Sequence, residues 1–189
     1  MVRDRSFSSC PPNLEVMRTL VVMAMVVVWA IAAVAWPDLP PRIPIHFDLA
    51  GVADGWTDTS LLAWFALPAF ATGLGVVFGW LLPWWMLRLA RANSPWLNVP
   101  RKQQFRALPL EARERAMQAV GVWLYAIATS MQMLCGWLLF GSARVADGRW
   151  DVLPSWPGFS LLAVIVGCAI ALAFATSRSV RGEGARATS

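Results

Sequence analysis

Four long apolar blocks constrain this chain more than any other feature of its sequence. They cover residues 14–36, 60–87, 116–140 and 158–176. About 20 apolar residues in a helix cross the hydrocarbon core of a bilayer, and each block reaches about that length. We therefore predict an all-α membrane protein, a four-transmembrane-helix bundle over residues 14–176. A disordered tail, 1–13, precedes the bundle, and a second tail, 177–189, follows it.

The positions of the basic residues predict the orientation of the bundle. Of the 16 Lys and Arg, thirteen lie in the N-terminal segment, the 88–115 loop and the tail from 177, and three lie in the other two loops. Cytoplasmic segments of membrane proteins carry this excess, so we expect both termini in the cytoplasm. The net charge of +5 arises in this way, so we expect contact with the lipid bilayer and none with nucleic acid.

The first block also resembles a secretory signal peptide, because Ala33-Val34-Ala35 has the pattern of a cleavage site. Its apolar run is longer than a signal core, and three further blocks follow it. We therefore expect the first block to remain as a membrane span. The three cysteines, Cys10, Cys135 and Cys168, have no metal-ligand spacing, so we expect packing roles, no disulfide and no cofactor.

Inside the blocks, small and polar residues predict how the helices contact each other. Pro68 and Pro83 are expected to kink the second helix, and Gly75 and Gly79 have the spacing of a close helix contact. Gln132 is expected to form a hydrogen bond between helices. The centres of the blocks carry no charged side chain, which argues against an ion or proton pathway.

The loop between the first two blocks, residues 37–59, has the pattern of an ordered hairpin or cap. Residues 43–47 suit an extended segment, and Pro44 would confine it to a sheet edge. Ala50-Gly51 and Asp54-Gly55 are turn signals. We expect this loop on the extracytoplasmic side, opposite the basic segments.

The same loop holds the candidate ligand-binding residues, which are Arg42, His46, Asp48, Asp54 and Trp56. In an extended segment His46 and Asp48 point to one face, and Asp54 returns toward them across the turn. One imidazole and two carboxylates have the chemistry to hold a divalent metal, to bind a cationic or peptide ligand, or to transfer protons. Capping of turns is the simpler interpretation, and all of these stay open.

The basic loop 88–115 is a second candidate surface. Asn98 and Pro100 lie at predicted chain breaks, and Trp96, Leu97, Phe105 and Leu108 lie among basic residues. This pattern predicts a segment lying on anionic lipid. The alternative is a docking site for a cytoplasmic regulator.

Part of the chain resembles a known family of bacterial membrane proteins, domain of unknown function 1648 (DUF1648). The positions that carry the resemblance are Leu39, Pro40, Ile43, Pro44, His46, Phe47, Gly51, Asp54, Gly55 and Trp56. The 98–109 segment, which includes Asn98 and Pro100, is also similar to family members. This chain departs from the family pattern at Asp48, where Asn is frequent, and at Thr57-Asp58-Thr59, where a Lys is common.

The resemblance implies a multi-span protein of the bacterial cytoplasmic membrane, distantly related to Sdp-type immunity proteins. Those proteins protect the cell from a secreted toxic peptide and relay its presence to a repressor. We therefore expect an immunity-like or ligand-sensing protein that binds an extracytoplasmic peptide or small ligand and is not an enzyme. A membrane-embedded metal-dependent enzyme and a small transporter subunit are the alternatives.

Overall fold

The four apolar blocks form four long helical segments in the structure, a computed structural model that describes residues 12–187. The helices are α1 Pro12–Ala35, α2 Leu61–Val76, α3 Leu82–Arg91, α4 Lys102–Ala107, α5 Leu110–Ala146 and α6 Ser155–Ala187. The second segment joins α2 to α3. All four segments are long and apolar enough to cross a membrane, and a two-stranded hairpin follows α1. The predicted fold class is confirmed, and the chain is an integral membrane protein.

The helices extend beyond the predicted spans. The 37 residues of α5 give a length of about 55 Å, whereas the hydrocarbon core is about 30 Å thick. The predicted tail 177–189 is helical as far as Ala187. Of the predicted disordered tail 1–13, residues 1–11, with Cys10, lie outside the described residues, and α1 begins at Pro12.

Helix α5 is the axis around which the other helices pack. It contacts α1, α2, α3 and α6, and buried residues such as Val120, Ala128 and Leu139 are distributed along its length. By contrast, α6 rests mainly on α5, and most of its apolar side chains face outward. Such a surface matches contact with lipid rather than water.

The predicted close contact of small residues is confirmed. Gly75 and Gly79 are both buried. A Cβ atom at Gly75 would lie 2.7 Å from Nε2 of Gln132 and 3.1 Å from the sulfur of Met25. Gln132 donates from Nε2 to the carbonyl of Ala71 at 2.5 Å, so the expected hydrogen bond between helices is also present. Small side chains thus let α1, α2 and α5 meet at one level.

A π-helical turn, Val77–Leu81, separates α2 from α3. Pro83 has no N–H to donate to a carbonyl four residues earlier, so the regular α-helical pattern cannot continue through it. Leu82 donates instead to Val77, five residues back. The sequence signal at Pro83 therefore marks a π turn.

At the end of the bundle opposite the hairpin, the 88–115 segment folds over the helix ends. Leu97, Phe105 and Leu108 are buried between α3, α4, α5 and α6, whereas Trp96 is 86% exposed. The interpretation that these four residues lie on lipid is therefore wrong for three of them. Asn98 and Pro100 are exposed on either side of the buried Val99. Burial thus alternates from Leu97 to Pro100, whereas Phe105 and Leu108 are three residues apart.

Candidate functional site

The hairpin consists of β1, Arg42–Phe47, and β2, Ala53–Asp58, which pair antiparallel. The turn between them is closed by Asp48, whose carboxylate accepts from the N–H of Val52 at 2.8 Å. Gly51 follows with a φ of +83°, a conformation that glycine adopts without strain. The ordered hairpin predicted for this loop is confirmed.

His46 and Asp54 form the closest polar pair of the hairpin. His46 Nδ1 lies 2.5 Å from Oδ1 of Asp54, and both side chains are exposed, at 70% and 48%. Nδ1 is therefore the ring nitrogen that faces Asp54, and Nε2 is directed away from it. The expected return of Asp54 toward His46 is therefore present.

The pairing of His46 with Asp54 depends on local irregularity in the ladder. The register shifts on both sides of His46, whose partner across the ladder is Gly55. A Cβ atom at Gly55 would lie only 2.8 Å from the Cβ of His46. Glycine at this position therefore gives the imidazole the room to lie beside Asp54.

The other candidate residues lie on the two strands of the hairpin, Arg42 at the start of β1 and Trp56 within β2. Arg42 Nε lies 4.0 Å from Asp58 Oδ1, an exposed ion pair. Trp56 is opposite Pro44 and is 40% exposed, with its indole N–H donating to the carbonyl of Ala53 at 3.3 Å. The structure thus places Arg42 and Trp56 on the hairpin with His46.

The carbonyl of Pro40 anchors the base of the hairpin, where it accepts from the Thr59 hydroxyl at 2.5 Å. Asn98 and Pro100, the other motif residues, lie at the opposite end of the bundle, beyond α3. They therefore belong to a different surface from the hairpin.

Asp48 does not join His46 and Asp54. Its carboxylate faces the turn, where it holds the Val52 N–H. Within residues 12–187, no three His, Cys, Asp or Glu side chains come together as a group able to hold a metal ion. Of the three candidate metal ligands, Asp48 therefore caps the turn, and His46 and Asp54 form a hydrogen-bonded pair.

An apolar cavity of about 540 Å³ lies between β1 and the helices beneath it. Its walls are formed by β1, α2 and α5. The lining residues are Ile43, Pro44, Ile45, His46, Phe47, Ala63, Trp64, Ala66, Leu67, Phe70, Leu138, Leu139 and Ser142. A space of this volume, with apolar walls and few polar groups, has the character of a small-ligand site.

The apolar cavity and the polar His46–Asp54 pair therefore lie side by side at this end of the bundle. Ile43 and His46 both line the cavity from β1, but Ile43 is buried, whereas the His46 side chain is 70% exposed. The loop carries four aspartates against a single arginine, Arg42; Asp58 is paired with Arg42 and Asp38 lies on another side of α1, which leaves Asp48 and Asp54 on the hairpin without an Arg or Lys of the loop as partner. This combination suits a ligand with apolar groups and positive charge.

The second loop on this side, between α5 and α6, holds the hairpin against the bundle. The N–H of Leu153 donates to the carbonyl of Gly51 at 2.8 Å, and the Leu153 side chain is buried against Gly141. Sequence reasoning gave this second loop no role. The hairpin turn is therefore attached to α5 and α6 as well as to the helices that flank it.

The cavity walls within the helices were not predicted either. Trp64, Leu138 and Leu139 lie in apolar blocks, where residues facing a cavity and residues facing lipid have the same composition. Ser142 is the one hydroxyl among the helical lining residues, and it falls just beyond the predicted end of the third block. No spacing pattern distinguishes these positions in the sequence.

Comparison with known proteins bears on the hairpin region of the chain. The family model described as Domain of unknown function (DUF1648) matches residues 23–72, from the middle of α1 into α2. The predicted resemblance to that family is confirmed over this part of the chain. Comparison with curated proteins and with solved structures gives no match. The matched segment contains the whole hairpin, with His46 and Asp54.

Proposed function

We propose that this integral membrane protein is not an enzyme and binds an extracytoplasmic ligand at its hairpin end. The proposed ligand is a peptide that carries both apolar side chains and positive charge. The observation that carries the proposal is the apolar cavity beneath β1, with the His46–Asp54 pair at its edge. The cavity receives the apolar side chains of the peptide. The acidic loop around it attracts the positive charge.

The chemistry of the site favours binding over metal-dependent catalysis. A metal site needs several ligands that converge on one point, but the Asp48 carboxylate is engaged in the turn. His46 Nε2 and the second oxygen of Asp54 provide hydrogen-bonding groups beside an apolar space. A few such groups on an apolar wall give a binding site its orientation and specificity.

We also propose that both termini lie in the cytoplasm. Thirteen of the 16 basic residues lie in the N-terminal segment, the 88–115 segment and the C-terminal tail, which supports a cytoplasmic position for both termini. The hairpin then lies on the outer face of a bacterial cytoplasmic membrane. Such a position suits sensing of, or immunity to, a secreted peptide, by analogy with Sdp-type proteins.

Peptide binding tests the proposal with two independent variants. The probe is a fluorescent eight-residue peptide of alternating Lys and Leu, titrated onto protein in nanodiscs, with empty nanodiscs subtracted. The double variant His46→Ala/Asp54→Ala removes the polar pair, and Ala66→Trp fills the cavity from an exposed position of α2. We expect each to weaken binding by about tenfold or more, equivalent to about 1.4 kcal/mol.

Arg42→Gln/Asp58→Asn is the matched control, because it removes an exposed ion pair of the same hairpin outside the cavity. We expect its affinity to stay within about twofold of the native protein, since exposed pairs contribute little. Native affinity in both site variants would exclude the cavity as the binding site. Stoichiometric metal in the purified protein, lost in His46→Ala, would instead favour the metal-dependent enzyme.

A further inference from the structure

A second cavity lies on another side of α1, outside the hairpin site. It has a volume of about 450 Å³ and lies between α1 and α5 at the hairpin end of the bundle. Its apolar walls include Val27, Ile31 and Val34 from α1 and Phe140 from α5. Val34 is 77% exposed, so the cavity opens toward the surface that faces lipid.

A deeper cavity of about 480 Å³ continues along the same two helices and is also lined by Pro157 and Leu161 of α6. It shares Val27, Ile31 and Phe140 with the first cavity and reaches Gln132. We call the two cavities together the α1/α5 groove. From Arg144 to Gln132 the groove follows twelve residues of α5, which is about 18 Å. One leaflet of the hydrocarbon core is about 15 Å thick, so the groove is as long as one acyl chain layer.

The outer end of the groove carries charges of both signs. Its rim is formed by Asp38, Arg144, Asp147 and Arg149. Asp147 lies between the two arginines, at 3.8 Å from Arg144 and 3.3 Å from Arg149. Asp38, from the short 3-10 turn after α1, supplies the second negative charge. The rim therefore offers two guanidinium groups and a separate carboxylate.

The Arg144 side chain is held in place by its neighbours. Its guanidinium lies over the ring of Phe140, 4.9 Å from the ring centre, and the side chain is 31% exposed. A guanidinium stacked in this way keeps its N–H groups directed outward in the plane. Those groups are the donors that recognise a phosphate.

Aromatic residues place this rim at the level of the membrane interface. Trp36 lies two residues before Asp38, and Trp150 directly follows Arg149. Tryptophans of membrane proteins concentrate where the hydrocarbon core meets the headgroups. The charged rim is therefore at headgroup level, and the groove below it is at acyl-chain level.

We propose that the α1/α5 groove binds one phospholipid with a zwitterionic headgroup of the phosphoethanolamine type. The phosphate binds Arg144 and Arg149, and the ammonium group lies beside Asp38. One acyl chain occupies the groove down to the level of Gln132. The equal numbers of positive and negative side chains on the rim favour this headgroup over an anionic one.

Native mass spectrometry tests this proposal on the full chain. The purified protein is incubated with an equimolar mixture of phosphatidylethanolamine and phosphatidylglycerol and transferred to a mild detergent. We expect one retained phosphatidylethanolamine per chain and about tenfold lower retention in Arg144→Gln/Arg149→Gln, because two charge-assisted contacts are lost. Arg42→Gln is the control, since it removes an arginine at the same end of the bundle outside the groove.

A second variant covers the case in which the double arginine variant does not fold. Val34→Trp adds bulk at an exposed position of the groove mouth and changes no charge. We expect it to lower lipid retention as well, with native mobility in size exclusion. Equal retention of both lipids by the native protein, or native retention in Val34→Trp, would overturn the proposal.

Discussion

At the scale of the residue, the hairpin depends on the missing side chain of Gly55. We expect Gly55→Ala to force His46 away from Asp54, because the new Cβ would lie 2.8 Å from the Cβ of His46. Overpacking of this kind costs about 1–3 kcal/mol. Hydrogen–deuterium exchange across Ala53–Asp58 should therefore become faster. Gly73→Ala is the control, since no atom lies within 4 Å of its added Cβ, and native exchange in both variants would contradict the expectation.

The buried side chain of Gln132 has one amide atom with a hydrogen-bond partner in residues 12–187 and one without. Its Nε2 donates to Ala71, whereas its Oε1 is buried without a hydrogen-bond partner among the described residues. Gln132→Leu therefore loses one hydrogen bond and removes one unsatisfied acceptor. We expect the free energy of unfolding in detergent to change by less than about 1 kcal/mol, because such bonds contribute about 0.6 kcal/mol on average. A loss of more than about 2 kcal/mol would show that Oε1 has a partner of its own.

The sequence predicted the pairing of His46 with Asp54 but not the separate role of Asp48. His46 and Asp54 were singled out together, and the structure pairs them. Asp48 was grouped with them because a regular strand would place it on the face of His46. The ladder is irregular at His46, and the turn engages Asp48 instead. A local break in register is not visible in a pattern with a period of two.

At the scale of the element, the contact between the hairpin turn and the loop that joins α5 to α6 can be tested by two glycine variants. Gly51 and Gly148 both have positive φ, +83° and +73°. An added Cβ at Gly51 would run into the carbonyl of Leu153, whereas nothing lies near Gly148. Both alanine variants carry the backbone strain, of about 1–2 kcal/mol, but only Gly51→Ala breaks the contact.

We therefore expect the Leu153 amide to exchange faster in Gly51→Ala than in Gly148→Ala, because its bond to the Gly51 carbonyl is lost. Hydrogen–deuterium exchange followed by mass spectrometry resolves this amide. Identical protection of Leu153 in the two variants would show that the turn is not held by the second loop.

The sequence predicted helices and strands better than the cavities between them. The hairpin could be predicted because Pro44 and Gly51 are local signals of an edge and a turn, whereas Asp54-Gly55, also predicted as a turn, lies inside β2. The cavity beneath β1 could not, because its walls combine residues from β1, α2 and α5 that are distant in sequence. The π turn before Pro83 was predicted only as a kink, since proline signals a break but not its form.

At the scale of the whole molecule, the four spans followed directly from hydropathy. A helix that crosses a bilayer must be long and apolar, and its backbone groups must form hydrogen bonds within the helix. The composition and length of each block therefore predict the spans. The central position of α5 was not predicted, although its span has the lowest mean hydropathy of the four, 1.4 against 2.0 to 2.5, and carries Gln132. The lengths of α5 and α6 beyond the membrane were missed since polar residues continue a helix as readily as they end one.

The proposed binding site requires the hairpin to face the outside of the cell, and thiol labelling in intact cells measures this directly. In a background without native cysteines, His46→Cys and Gln104→Cys place one thiol on β1 and one on α4. We expect a membrane-impermeant maleimide to label His46→Cys in intact cells and Gln104→Cys only after lysis. Labelling of Gln104→Cys in intact cells, with His46→Cys reached only after lysis, would contradict the orientation and with it the extracytoplasmic site.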